Sequence, residues 1–104
     1  MDITEIRNNI ELLPDVIYAL EESYLKEKAQ MDYMKDLTKH FLAKWKSEYL
    51  GTTAEKERLA MAKPEYKVHI EGIKEQAIVV SSKAAKFHCE ERRFECYRSL
   101  NKNV

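Results

Sequence analysis

The sequence predicts an all-α protein, and three observations carry that expectation. Gly and Pro number two each in 104 residues, too few for a turn signal every 8–12 residues or so, as a β-sandwich or barrel needs. Apolar residues recur at spacings of three and four along most of the chain. Charged residues make up 35% and hydrophobic ones 44%, a balance that disfavours simple disorder. The expected architecture is a long antiparallel helical hairpin with coiled-coil character. Short helices are expected at the N-terminus and in the connector, within one domain spanning residues 1–104 that assembles as an oligomer.

The first element opens at Asp2-Ile3-Thr4-Glu5, an N-cap with an acid three residues on. Ile3, Ile6, Ile10 and Leu13 then mark one face of a short helix over 3–13. Pro14-Asp15 reads as the first turn of a new helix, where proline is tolerated and an acid is favourable. With no further Gly or Pro until Gly51, that helix is expected over 14–50. Its apolar residues form two stripes. One runs through Leu13, Ile17, Leu20, Tyr24, Met31, Met34, Phe41 and Trp45, the other through Val16, Tyr33, Leu37, Leu42 and Tyr49. A surface wider than one stripe implies more than one neighbour. Gly51 stands where a left-handed C-terminal cap belongs.

Thr52-Thr53-Ala54-Glu55 is a capping box for a short helix over 53–62. Pro64 ends it, because the residue before proline is pushed out of the α region. From there Tyr66, Ile70, Ile73, Ala77, Val80, Ala84 and Phe87 alternate at spacings of four and three, predicting a coiled-coil-like helix over 64–101. Ile78-Val79-Val80 is the one place where a strand competes, and Gly72 weakens the helix by about 1 kcal/mol. The heptad runs through both. Two helices alone enclose little core, so self-association is expected.

Several function classes find no support. Met1-Asp2 opens without a basic region ahead of an apolar one, so no signal peptide is expected. No run of about 18 apolar residues suggests a membrane span. Cys89 and Cys96 are too few for a disulfide scaffold and too far apart on one helix to pair, which favours the cytoplasm. They are expected to be free on the outer face of the last helix. No metal and no cofactor is expected, since His88, Cys89 and Cys96 lack chelating spacing. His40, His69 and His88 sit in no recognisable catalytic motif and there is no phosphate-binding Gly loop. An enzyme is not expected.

Charge distribution says more than total charge, which is zero. Residues 1–25 hold six acids and one Arg, a balance of −5, so the remainder carries +5. Most charges serve as solvated helix faces, but the polarity could also join subunits or engage an anion. Lys35, Lys39, Lys44 and Lys46 are interleaved with Phe41, Trp45 and Tyr49. Single-stranded nucleic acid needs cations for phosphates and aromatic faces for unstacked bases. The competing reading is that Phe41 and Trp45 pack in the core with lysines snorkelling around them. Composition alone favours the latter.

Leu42-Ala43-Lys44-Trp45-Lys46-Ser47-Glu48-Tyr49-Leu50-Gly51 resembles the single-stranded-DNA-binding segment of the UvsY-like recombination mediator family of T-even phages. The family pattern is Leu, two basic residues one apart, an acid, Tyr and a closing Gly. Lys44 and Lys46 match the basic pair, one place later relative to the leucine. The layout is also similar over about ninety residues: a long helix ending at Tyr-x-Gly, a charged connector, then a second long helix. The run from Arg92 to Leu100 is similar to the ends of small phage proteins from recombination modules.

The resemblance implies a homo-oligomer that binds single-stranded DNA and helps load a recombinase where a single-strand-binding protein covers it. On that reading Lys44 and Lys46 meet phosphates and Lys39 and Lys35 add charge. Tyr49 stacks on a base or anchors the helix end. A helical protein-interaction module without nucleic acid, such as a phage-encoded modulator of a host protein, is the alternative. Similarity to small secreted helical hairpins with a Trp-x-Gly turn ranks third, because the turn here is Tyr49-Leu50-Gly51 and the charge is heavier.

Overall fold

A computed structural model describes residues 2–103. All regular structure among them is α-helical, in three elements: α1 (Ile3–Lys46), α2 (Thr53–Met61) and α3 (Pro64–Lys102). Asp2 caps α1, its Oδ1 accepting from the Thr4 amide at 3.1 Å while its carbonyl accepts from Ile6.

Pro14 lies inside α1, which corrects the expected break between helices 3–13 and 14–50. Proline's fixed φ is itself helical, so what it forfeits is one hydrogen bond and some steric room against the preceding turn. Ile6 and Leu13, seven residues apart on one face, are the most buried large side chains of α1, at 3% and 5% exposure. Leu13 adjoins the proline and Ile6 lies two turns before it, so the turns leading into Pro14 are anchored by buried side chains.

α1 ends at Lys46, short of the expected residue 50. Glu48 and Tyr49 donate to the carbonyls of Trp45 and Lys46, three residues back, and the Ser47 hydroxyl donates to the Lys44 carbonyl. These tighter bonds satisfy the last carbonyls and turn the chain. Gly51 takes φ +129°, where an added Cβ would collide with the Glu55 carboxylate. The capping box of α2 is complete: Glu55 N–H donates to Thr52 Oγ1 at 3.2 Å and Thr52 N–H to Glu55 Oε2 at 3.4 Å. Pro64 opens α3 at the position that best suits it.

Packing falls into two compact units. One comprises residues 2–27 and 80–103, the other residues 28–79. In the first, the Tyr24 and Phe87 rings stack at 6.1 Å, and Val80 and Phe87 are buried. Ile17 shares a groove with Phe94, so α1 and α3 run antiparallel there. In the second, Trp45 meets Tyr66 edge-on at 6.5 Å, Phe41 meets His69 at 5.1 Å, and Met34 lies against Gly72. That pairing is antiparallel too. A methyl added at Gly72 would sit 3.4 Å from Met34 Cε, the mobile end of that side chain, so the packing here has room for alanine.

The core is small. Among the described residues, Ile6, Leu13, Ala60, Val80 and Phe87 are the buried hydrophobic ones, and no large side chain is fully buried. Leu12, Tyr18, Tyr33, Leu50, Val68 and Ile78 are all more than half exposed.

Candidate nucleic-acid interface

Helical phase sorts the four lysines of the candidate segment. Lys35, Lys39 and Lys46 stand at i, i+4 and i+11 of α1, within about 40° of one another at 100° per residue. Lys44 lies on the opposite side, because two residues along a helix turn it by about 200°. The fold therefore gathers three of the four cations and leaves Lys44 apart. Lys35, Lys39 and Lys44 are exposed, whereas Lys46 is half-buried at the end of the helix.

The aromatic residues are committed within the fold. Phe41 stacks on Trp45 at 5.5 Å and meets His69 at right angles. Trp45 adds its edge-on contact with Tyr66. These rings and Tyr49 are half-buried, so the segment's aromatic faces pack α1 against α3. Lys63 Nζ sits 5.7 Å from the Tyr49 ring centroid and pairs with the Glu48 carboxylate. Tyr49 is thus an anchor for the turn, its face already covered by a cation. The bond to Glu48 raises the Lys63 pKa above its ordinary value, with desolvation opposing.

Sequence reasoning missed two participants. His69 lies beside the heptad positions, yet its Nε2 is 2.8 Å from Thr38 Oγ1. Thr38 also donates its hydroxyl proton to the Met34 carbonyl at 3.3 Å. The arrangement that satisfies both has His69 Nε2–H donating to Thr38. The available signal was Thr38, a polar residue in the apolar stripe between Met34 and Phe41, with His69 next to the seam residue Ile70. The other participant is Lys63, whose pairing with Glu48 and Tyr49 spans the turn and α2.

Elsewhere, Arg93 donates to Glu90 at 2.8 Å, Arg98 to Glu95 at 3.1 Å, and His88 Nδ1 lies 2.9 Å from Glu91. The Arg93 guanidinium is held above its ordinary pKa chiefly by the Tyr97 hydroxyl and the Glu90 charge. Cys89 and Cys96 are free and exposed. Among the described residues no group of three or more His, Cys, Asp or Glu side chains could hold a metal ion. No helix among them is long and apolar enough to cross a membrane.

An open groove of about 540 Å³ lies where α2 passes into α3. Met61, Pro64 and Ile70 contribute its apolar surface, and Lys63, Lys67 and Lys74 its charge, against one acid, Glu71.

No family model, curated protein or solved structure compared with this chain matches it.

Proposed function

We propose that the protein is a single-stranded-DNA-binding recombination mediator that acts as a homo-oligomer and helps load a recombinase on single strands. The observation that carries the reading is the row formed by Lys35, Lys39 and Lys46 on one face of α1, leading into the Tyr49–Gly51 turn. Lysines held on a helix give a preset row of phosphate partners, and each contact adds affinity through counterion release. Three cations per subunit make a weak site. Several copies on one strand multiply it through effective concentration. The small core and the many exposed apolar side chains support self-association.

The second reading is a helical protein-interaction module without nucleic acid. It is favoured by the engagement of Phe41, Trp45 and Tyr49 inside the fold, which keeps these three rings from offering an open face to a base.

Titrating a labelled single-stranded oligonucleotide at several salt concentrations, with mass measured by light scattering, separates the two. The first reading expects salt-sensitive binding by a species larger than 12.3 kDa. Oligomers that ignore the oligonucleotide at low salt would leave the interaction module standing. A fully helical monomer would remove self-association from both.

A further inference from the structure

The chain carries an apolar groove bordered by lysines and an exposed apolar ridge bordered by acids. The first is the groove at the start of α3, with Met61, Pro64 and Ile70 on its floor and lysines along it. Lys63 is held by Glu48 and Tyr49. Lys67 and Lys74, seven residues apart and so on one side of α3, are exposed and have no acidic partner within bonding distance among the described residues.

The second surface is convex. Leu12 is 65% exposed and Val16 45%, and at i, i+4 they form one ridge on α1. Glu5, two turns before Leu12, continues the ridge, and Asp15 borders it. Both acids are exposed and in no ion pair among the described residues. This ridge belongs to the acidic stretch of the chain, residues 1–25 at −5.

We infer that the Leu12–Val16 ridge of one copy docks in the Met61–Lys74 groove of a second copy. Apolar side chains would fill the apolar floor while Glu5 and Asp15 meet Lys67 and Lys74. A hydrophobic centre with a charged rim is the ordinary anatomy of a specific interface. The contact joins two different surfaces, so it is heterologous. Each copy offers one ridge and one groove, and the assembly either closes into a ring or grows as a chain. This inference rests on the self-association proposed above and adds its geometry.

Charge reversal tests it. Lys67→Glu with Lys74→Glu gives a variant acidic on both surfaces. Glu5→Lys with Asp15→Lys gives one basic on both. All four positions are exposed, so helicity by circular dichroism should be kept. Each variant alone should weaken association at least about tenfold, since like charges then face each other. Mixing the two should restore assemblies containing both chains, because each surface again finds its opposite. A wild-type oligomer whose mass neither reversal changes, or a loss that mixing does not rescue, would overturn the docking geometry and leave self-association intact. A monomeric wild type would overturn both. A Lys67→Glu/Lys74→Glu variant of unchanged mass that no longer binds a single-stranded oligonucleotide would assign the groove to nucleic acid instead.

Discussion

Thr38 Oγ1 on α1 and His69 Nε2 on α3 lie 2.8 Å apart, thirty-one residues from each other in the chain. Replacing Thr38 by Val keeps the volume and removes the partner. A fully buried donor left unsatisfied costs about 1–3 kcal/mol, and for the half-buried His69 ring the loss should fall at or below the low end of that range. Urea denaturation should show that loss as a lower midpoint at unchanged slope, with Thr38→Ser recovering most of it. Equal stability of the Val and wild-type proteins would mean that water replaces the hydroxyl at no cost.

The lysines should divide by helix face. Changing Lys35, Lys39 and Lys46 together to Ala should weaken single-strand binding and lower its salt slope by about 2, at roughly 0.7 per lost phosphate contact. Lys44→Ala, on the opposite side of α1, should change both far less. If Lys44→Ala alone is as damaging as the triple change, strand contact does not follow the helix face.

Pro14 should be a net cost to α1. Proline in a helix interior is about 3 kcal/mol worse than Ala, and Pro14 is exposed. Pro14→Ala should therefore raise the thermal midpoint. A lower midpoint would show that α1 needs the proline's shape where it lines the groove beside Ile17 and Phe94.

The local signals were legible where they were short-range. The Thr52–Glu55 box and Pro64 at the start of α3 announce themselves because cap and capped residue lie within four positions. Pro14 misleads for the same reason: Pro-Asp looks alike at a helix start and inside a helix, and Ile6 and Leu13, which anchor the turns leading into it, are buried by distant chain. Lys44 and Lys46 look like a pair in sequence, yet helical rotation separates them. The covering of Tyr49 by Lys63 depends on where the turn and α2 bring the chain, which no spacing reveals.

Lys63 links stability to alkaline pH. Its pKa is raised in the folded state, first by the bond to Glu48, so the contribution is complete below the unfolded value of about 10.4. It is lost as pH rises through the higher folded value. Lys63→Met should be less stable than wild type at neutral pH, with the gap closing above that range. Because Glu48 is exposed and Lys63 only half-buried, solvent screens the pair and the gap should be small. A gap that stays constant from neutral to strongly alkaline pH would mean the charge plays no part.

Cys89 and Cys96 should be replaceable. Both are exposed and free, so changing both to Ser should shift stability by no more than about 0.5 kcal/mol. Stoichiometric zinc in the purified protein, lost on that change, would contradict this.

Leu50 is 95% exposed at the turn between α1 and α2, which makes the turn a built-in reporter of local opening. Proteases that favour large apolar residues find one here on the connector, where cleavage ordinarily concentrates. To be cut, the backbone must fit an extended cleft, and Gly51 at φ +129° with the Thr52–Glu55 box holds it otherwise. The nicking rate after Leu50 thus reports how often the Gly51 turn and the Thr52–Glu55 box open, and any excess over the rate of global unfolding is local opening.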